Sequence, residues 1–406
     1  MKKIKILRII NRFNIGGPSY NVTFLTRFMG DEYETKLVGG LPDAGESDSL
    51  HILEKYGVSP ILIEELVRQP SISNDRKAYK RLKEIIREYE PDIVHTHASK
   101  AGASFFIVFV IASLLLSYVF SDESGGLFEN IRFLGLFVAA SIAFVMGITD
   151  DAYDTSPLFK LFAQVLCGIL FVATGSNIEL FHSFYPDAIL TVIWVVVVMN
   201  SLNMLDNMDG ITGTTVFFIL LTCLISGWIR FGFSSDIWSL LNVSLIGAIV
   251  GFLTVNVNPS KIFMGDAGSQ FIGLFVAYYG VEYLWNIGET YEQSSWLGAS
   301  VVLVAFTPAA VDTLTVVINR LKKGKSPMVG GKDHTTHHLV YSGLTDRKVW
   351  YVFLLIGAFS SIFAVAMVNL IQLDLGLPIV LFISYFFFVF AILYRNTIKH
   401  TAPKNK

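Results

Sequence analysis

The chain has 406 residues, of which 53% are hydrophobic and 16% are charged, and its formal net charge is −2. Soluble domains carry about 25% charged residues, so this composition disfavours a single soluble globular fold. The near-neutral charge also argues against a nucleic-acid-binding protein that depends on bulk basicity, and no nucleic-acid partner is expected.

Charged residues are distributed unevenly, with a change near residue 100. Residues 1–100 contain 16 Lys and Arg with 14 Asp and Glu, whereas residues 101–406 contain 15 and 19. We therefore expect two domains, the first folded in water and the second in a lipid bilayer. Arg8 and Arg12 interrupt the apolar core that a signal peptide would need, so the chain is expected to start in the cytosol.

The first 100 residues alternate between strand and helix patterns. Such alternation is typical of an α/β fold with a parallel sheet. A Gly16-Gly17 turn before the first helix either serves packing or faces an anion. The predicted strands are residues 5–10, 35–38 and 91–97, and the predicted helices run from the glycine turn to about residue 29 and over residues 75–90.

Charged residues divide the second part into ten long uncharged stretches. A helix that spans a membrane needs about 17–25 apolar residues, and nearly all of these stretches reach that length. We therefore predict a mostly α-helical, polytopic bundle of about ten transmembrane helices. The stretches are 101–121, 133–149, 161–178, 188–205, 210–229, 237–260, 267–281, 293–311, 349–373 and 375–394, of which 267–281 is extended by 281–285.

Basic residues separate the connecting loops into two sets. Arg132 and Arg230 are the only Lys or Arg residues in the loops 122–132, 175–187, 230–236, 286–295 and 372–376. The other loops are much richer in Lys and Arg, above all 319–348. Because basic loops stay in the cytosol, the second set and both chain termini are predicted to be cytosolic.

The first polar motif is Gly147-Ile-Thr-Asp-Asp-Ala-Tyr-Asp154, at the end of the second predicted span. Asp150 and Asp151 fall at a helix end, and Ser156-Pro157 fits the start of the next helix. Lys160 then lies about one turn inside that helix. The carboxylates are either solvated loop residues or part of a site.

The second motif is Asn200-Ser-Leu-Asn-Met-Leu-Asp-Asn-Met-Asp-Gly210, which ends an apolar run. At helical spacing Asn203, Asp206 and Asn207 share a face, with Asp209 one turn beyond Asp206. Polar side chains at this depth are costly and tend to be functional, although a solvated helix end is the simpler alternative.

The third motif is Asn256-Val-Asn-Pro-Ser-Lys-Ile-Phe-Met-Gly-Asp-Ala-Gly-Ser269. Gly265 and Gly268 flank Asp266, and glycines allow a backbone to approach a ligand closely. An ordinary turn is the alternative interpretation.

The fourth motif is Gly330-Gly-Lys-Asp-His-Thr-Thr-His-His-Leu339, in a loop rich in Lys and Arg. His334 and His337 stand three residues apart. Histidine tracts can bind zinc, but the neighbours are basic, so phosphate binding fits better. Together the four motifs offer hard oxygen ligands for Mg²⁺, with Mn²⁺ as an alternative, beside groups that bind phosphate. The two cysteines, Cys167 and Cys223, lie in apolar runs and are expected to be buried without a disulfide or metal role.

These four motifs, in this order, resemble the polyprenyl-phosphate N-acetylhexosamine-1-phosphate transferases over about residues 104–396. The resemblance implies that a UDP-N-acetylhexosamine donates its sugar-1-phosphate to undecaprenyl phosphate in the bilayer and that UMP leaves. It further implies a multi-pass protein of the bacterial inner membrane that starts a cell-envelope polysaccharide at a cytosolic active site, and it is compatible with a homodimer.

The resemblance also implies roles for individual residues. Asp266 and Asn203 match the Mg²⁺ ligands, and Asp150 and Asp151 match the pair that orients, and in one interpretation deprotonates, the lipid phosphate. Two further aspartates complete the polar network, Asp206 and Asp209.

Substrate-binding roles follow from the same match. Lys160 would contact phosphate, Phe263 would stack on uracil, and Asn207 would lie close to the uracil site, where many members have glycine. Three histidines would hold the donor's diphosphate, namely His334, His337 and His338.

One part of the pattern is missing. Members begin with a further helix and a basic cytosolic loop, and here the first helix corresponds to the family's second. Residues 1–100 instead resemble the start of a two-Rossmann-domain, family-4 glycosyltransferase, without its donor domain. The alternatives to an active sugar-1-phosphate transferase are therefore a fusion that lost its activity with that helix, and a membrane-anchored glycosyltransferase.

Overall fold

The structure is a computed structural model that describes residues 3–13, 17–42, 48–66, 72–97, 101–119, 127–153, 155–232, 236–260, 262–326, 331–375 and 379–401. The chain forms two compact units, Met1–Ala98 and Ser99–Lys406. Several residues singled out in the sequence fall outside the described part, among them Gly16, Asp154, Lys261 and Gly330.

The first unit is a small parallel sheet covered by helices. Its strands are β1 (Ile4–Arg12), β2 (Tyr33–Gly40), β3 (Ile61–Leu62) and β4 (Ile93–His97), in the order β3-β2-β1-β4. All three strand pairs are parallel. The helices are α1 (Gly17–Arg27), α2 (Leu50–Lys55) and α3 (Ile72–Tyr89). The sequence pattern predicted all of these elements except α2 and β3.

Apolar side chains project from both faces of this sheet. Leu7 and Val38 pack with Ile85 of α3, whereas Ile10 and Leu37 belong to a second cluster. Successive residues of a strand point to opposite faces, so neighbours such as Leu37 and Val38 serve different clusters. A parallel sheet is stable only when both faces are covered, and the two clusters supply that cover.

The second unit is a bundle of helices. Uncharged runs bounded by polar or Gly residues explain why most of its elements begin and end where they do. Its helices are α4 (Ala101–Val119), α5 (Ile131–Tyr153), α6 (Pro157–Ala173), α7 (Phe184–Leu205), α8 (Ile211–Phe231), α9 (Ile237–Asn256), α10 (Gly265–Gly280), α11 (Ile287–Thr290), α12 (Trp296–Ala305), α13 (Thr307–Lys322), α14 (Thr335–Tyr341), α15 (Asp346–Gln372) and α16 (Ile379–Lys399).

Helix α10 lies at the centre of the bundle. Every residue from Ala267 to Gly280 is buried, and the helix packs against α4, α5, α7 and α8. A helix that is apolar on all sides must be enclosed by other helices. Asp266 therefore lies in the first turn of a helix that the neighbouring helices enclose.

Seven described helices are long and apolar enough to cross a membrane, and the count becomes eight if one bent pair is a single span. These helices make the protein a multi-pass membrane protein. The bent pair is α12 and α13, which meet at 83°. Pro308 stands in the first turn of α13, and a proline ring cannot continue the hydrogen bonding of the preceding helix. The sequence had predicted an uninterrupted span over residues 293–311, without this bend.

Candidate active site

The four polar motifs lie at one end of the bundle. Helices α5 and α7 end there, whereas α6, α8 and α10 begin there, as expected for helices that alternate in direction. Side chains from different motifs contact one another across these helix ends, as the following bonds describe. The polar groups of the four motifs thus lie together at this end of the bundle.

Asp150 is the buried anchor of the first motif. Its carboxylate forms an ion pair with Lys160. Its Oδ1 also accepts hydrogen bonds from Thr155, at 2.9 Å from the backbone nitrogen and 2.7 Å from the hydroxyl. Ser156 caps α6 by accepting from the amide of Phe159, which fixes the turn that brings Lys160 back to Asp150. This turn places the amine of Lys160 beside the carboxylate of Asp150.

Asp266 collects contacts from three other motif residues. The side-chain nitrogen of Asn203 donates to its Oδ1 and, at 3.0 Å, to the hydroxyl of Ser269. The Asp150 carboxylate is a charged neighbour of Asp266. Burial, together with this neighbouring carboxylate, raises the pKa of Asp266.

Asp151 has a different position from its neighbour. Its two oxygens accept from the backbone nitrogens of Asp266 at 2.8 Å and Ala267 at 3.0 Å. These are amides that the start of α10 cannot bond internally, and a carboxylate there also meets the positive end of the helix dipole. Asp151 thus holds the start of α10, and with it Asp266, against the end of α5.

The tight approach of α5 to α10 depends on Gly147. A Cβ atom at this position would lie 2.4 Å from the Cα of Ala267 and 2.6 Å from the carbonyl oxygen of Asp266. Both obstacles are backbone atoms, which cannot rotate away. The glycine of the first motif is therefore required for packing rather than for a turn.

Asp206 and Asp209 follow the end of α7 in the second motif. Burial raises the pKa of Asp206 to about 7. Asp209 accepts from the backbone and hydroxyl of Ser260, at 3.1 and 2.8 Å, and from Asn258 at 3.2 Å. Asp209 therefore ties the loop between α9 and α10 to the end of α7.

Asn207 connects the second motif to the fourth, because its Oδ1 accepts from Thr336 at 2.5 Å. Its nitrogen donates to the carbonyl of Met204 at 2.9 Å. Phe263, by contrast, is 58% exposed in the middle of the third motif. An exposed aromatic ring can stack on a planar base, and the uracil-stacking role that the resemblance implies for Phe263 stays a prediction.

The three histidines differ in their surroundings. His334 is buried, and its Nδ1 lies 2.8 Å from Oδ2 of Asp312. His338 is also buried and contacts the carbonyl of His400 through its Nδ1. His337 is half-buried, and burial lowers its pKa, so its ring favours the neutral form.

Asp312 is a site residue that the sequence reasoning missed. It is fully buried, and its Oδ1 accepts from the backbone and hydroxyl of Thr335 at 2.8 and 2.6 Å. The available signal was a carboxylate directly after the uncharged stretch 293–311, where charge is expensive. Its partner, His334, is 22 residues away, so spacing alone did not connect them.

A second missed pair stabilises the same loop. Arg320 donates to Asp333 through Nε at 2.8 Å and Nη2 at 2.7 Å, a bidentate arrangement. The hydrogen bonds from Arg320 lower the pKa of Asp333. This pair joins the end of α13 to the segment before α14, which carries the histidines.

The donor set at Asp266 fits a hard divalent cation. Mg²⁺ is usually bound through one or two protein oxygens, with substrate phosphates and waters completing the shell. Asp266 offers a carboxylate, and the oxygen of the Asn203 amide takes no part in that residue's bonds to Asp266 and Ser269. Within the described ranges, no three His, Cys, Asp or Glu residues group as a metal site. The residues therefore suit a cation shared with a phosphate substrate rather than a closed protein cage.

Comparison with known proteins points to one family. The family model described as glycosyl transferase family 4 matches residues 133–283, which lie wholly in the membrane unit and contain the first three motifs. The resemblance of residues 1–100 to soluble glycosyltransferases receives no support from this match and stays a prediction.

Curated relatives cover more of the chain. A probable undecaprenyl-phosphate N-acetylglucosaminyl 1-phosphate transferase of Bacillus subtilis is 28% identical over 282 residues, 66% of this chain and 73% of that protein. A decaprenyl-phosphate N-acetylglucosaminephosphotransferase of Mycolicibacterium smegmatis is 24% identical over 376 residues, 85% of this chain and 90% of that protein. A phospho-N-acetylmuramoyl-pentapeptide-transferase of Leuconostoc mesenteroides is 31% identical over 227 residues, 50% of this chain and 68% of that protein. With the four motifs gathered at one end of a membrane bundle, these matches establish that the chain belongs to the polyprenyl-phosphate N-acetylhexosamine-1-phosphate transferase superfamily, a family of phosphosugar-transferring enzymes.

Proposed function

We propose that the protein transfers N-acetylhexosamine-1-phosphate from a UDP-sugar to undecaprenyl phosphate and thereby starts a cell-envelope polysaccharide. An oxygen of the lipid phosphate attacks the phosphorus that carries the sugar, and the bond to UMP breaks with UMP taking the electron pair. One phosphoanhydride replaces another, so the protein's task is to position the substrates and neutralise their charge.

The observation that carries this proposal is the contact set around Asp266. Carboxylates from α5 and α10, an amide from α7 and an amine from α6 converge at the end of one bundle. Such a set suits phosphates that are bridged by a cation. Mg²⁺, when bound by Asp266 and Asn203, would supply charge neutralisation for the reacting phosphates.

The other residues would act through position and charge. Lys160 is held by Asp150 and can turn towards an incoming lipid phosphate without leaving the site. Asp151 holds α10, so its contribution is to fix Asp266 rather than to take a proton. Of the three histidines, the half-buried His337 is the best placed to contact the donor's diphosphate, with His334 and His338 fixing the loop from within.

We also propose ten crossings of a bacterial inner membrane, with both termini and the site in the cytosol. The seven long spans and the bent pair would be joined by the shorter helices α6 and α10. Both shorter helices start at the site. Their polar first turns would then reach the water that carries the UDP-sugar, while their apolar remainders stay in the bilayer.

The test is an assay of membranes that contain the full chain. Release of UMP from UDP-N-acetylglucosamine should require undecaprenyl phosphate and Mg²⁺ and should stop when the metal is chelated. Replacing Asp266 by Asn should abolish turnover because the amide keeps the shape of the carboxylate but not its charge.

Asp346→Asn provides the matched control. Asp346 is exposed in the first turn of α15, which begins just after the fourth motif. The Asp346→Asn variant should therefore keep most of the parent rate. An active parent whose Asp266→Asn variant retains most of its rate would disprove the assigned role of Asp266. A parent that releases no UMP from any UDP-N-acetylhexosamine would instead support the inactive fusion.

A further inference from the structure

A polar cavity lies at the end of the bundle opposite the candidate active site. Its volume is about 480 Å³, within the range of small-ligand sites. Arg132 at its wall belongs to α5, whose other end carries Asp150, and 18 residues of helix separate the two by about 27 Å. The cavity is therefore distinct from the candidate active site, and it lies at the predicted membrane–water boundary.

Two arginines present hydrogen-bond donors to this cavity. Arg132 lies 3.6 Å from the carboxylate of Glu282, too far for a direct hydrogen bond, and its side chain is 51% exposed. Arg230 donates through Nη1 to the backbone oxygen of Glu282 at 2.9 Å. Its buried Nε has no partner among the residues that the structure describes. Arg132 thus pairs only loosely with the Glu282 carboxylate, and Arg230 bonds the backbone oxygen of that residue, so both guanidinium groups keep N–H donors for a ligand.

The adjacent Glu179 and Glu289 form an acidic wall of the cavity. Proximity to Glu289, together with burial, raises the pKa of Glu179 to about 7. Glu289 also lies 2.8 Å from Nδ1 of His182. Asn177 adds a buried carbonyl oxygen that lacks a partner within the described ranges. These oxygens can accept hydrogen bonds from a cationic donor.

Aromatic rings complete the lining. Phe231, Trp238 and Tyr283 border the cavity, and Phe231 is 60% exposed. Aromatic residues in this position are typical of the level of lipid head groups. The lining thus offers both arginine donors and carboxylate acceptors, so a ligand that carries charges of both signs can pair with both kinds of group.

We propose that this cavity binds the zwitterionic head group of a phospholipid, with the phosphate on Arg132 and Arg230 and the ammonium group on Glu179 and Glu289. Arginine donors suit phosphate oxygens, and a primary ammonium supplies the three donors that the acidic wall can accept. Phosphatidylethanolamine has both groups. Phosphatidylcholine lacks the ammonium hydrogens, and phosphatidylglycerol lacks the positive charge.

The test is native mass spectrometry of the full-length protein released from detergent, with each of the three phospholipids added in turn. Phosphatidylethanolamine should give the most persistent adducts. Arg132→Gln should weaken its binding about tenfold or more, as the loss of a charge-assisted hydrogen bond implies. Because Arg132 is half-exposed, this variant should fold, and UMP release at the other end of the bundle provides the check. Arg230→Gln should give the same loss if it also folds.

Arg347→Gln is the matched control, since Arg347 is exposed at the start of α15 and far from the cavity. Its lipid binding should equal that of the parent. Unchanged phosphatidylethanolamine binding by folded Arg132→Gln, or equal retention of phosphatidylglycerol, would overturn the proposal. Displacement by an equal concentration of soluble glycerophosphoethanolamine would support the head-group chemistry but assign it to a soluble ester rather than to a lipid.

Discussion

Asp312 illustrates how one buried carboxylate can orient a site residue. Its Oδ2 meets Nδ1 of His334, while its Oδ1 accepts both bonds from Thr335. An ionised carboxylate can only accept, so it holds the hydrogen of His334 on Nδ1 and leaves Nε2 to face other groups. An asparagine would offer an NH₂ group in one of these places and would favour the other tautomer.

We therefore expect Asp312→Asn to lower UMP release about ten- to hundredfold, the range typical of groups that orient a site histidine. If Asp312→Asn only destabilised the fold, it would lower activity in the parent and in the His334→Ala variant alike. Loss of orientation predicts instead that Asp312→Asn has little further effect once His334 is Ala. Rates of the two single variants and the double variant, each with its thermal unfolding midpoint, distinguish the two cases. Additive losses in rate would contradict the orienting role.

The Arg320–Asp333 pair predicts a pH-dependent stability. Because hydrogen bonds from Arg320 lower the pKa of Asp333 in the folded protein, the pair stabilises the fold fully above the unfolded-state value and is lost as the pH falls through the folded-state value. Asp333→Asn should therefore lower the thermal unfolding midpoint at pH 7, and the gap should close as the pH falls below the ordinary aspartate range and the folded-state carboxyl becomes protonated. A gap that stays constant over this range would mean that the ionised form is not what stabilises the loop.

At the scale of single residues, motif spacing identified groups that the fold brings together. Asp150 pairs with Lys160, and Asn203 pairs with Asp266, at neighbouring helix ends. The spacing of the motifs could not distinguish the role of each carboxylate. Asp150 is buried and pairs with Lys160, whereas Asp151 is exposed and accepts from the backbone of α10, because successive helical residues point about 100° apart.

Among the elements, α5 and α10 have the closest approach in the site. Gly147→Ala would place a methyl group against the backbone of Ala267 and force α10 away from α5. Because Asp266 lies one residue before that contact, we expect a large loss of Mg²⁺-dependent UMP release together with lower thermal stability. The cost of overpacking a tight contact is about 1–3 kcal/mol.

A second glycine offers a matched control on a neighbouring helix. A Cβ atom at Gly247 in α9 would have no heavy atom within 4 Å among the described residues. Gly247→Ala should keep full activity and should be as stable as the parent or more so, since alanine is the better helix former. Equal effects of the two substitutions would show that helix propensity, not the contact with α10, explains the result at Gly147.

Helices were easier to predict than the break between α12 and α13. Long uncharged runs indicate helices because hydrocarbon tolerates no unpaired backbone group. The same uncharged run gives no warning of an 83° bend, because the residues on both sides are equally apolar. The physical signal was Pro308, and the consequence of the bend is that Asp312 turns into the bundle next to His334.

For the whole molecule, the distribution of Lys and Arg predicts which end of the bundle faces the cytosol. The site lies where α5, α7 and α9 end and α6, α8 and α10 begin. Once one loop of the bundle is located on a side of the membrane, the side that holds the site is therefore known as well. Lys325 lies just beyond α13 at the site end, whereas Glu292 lies in the loop before α12, and both are exposed.

Cysteine labelling in intact cells tests this orientation with little background, because the native Cys167 and Cys223 are both fully buried. We expect a membrane-impermeant maleimide to modify Glu292→Cys in intact cells, and to modify Lys325→Cys only after the membrane is opened. Both variants should keep UMP release, since neither residue belongs to the site. Labelling of Lys325→Cys in intact cells would place the site outside, where no cytosolic UDP-sugar could reach it. That result would contradict the topology and the proposed donor together, while leaving the contacts around Asp266 unchanged.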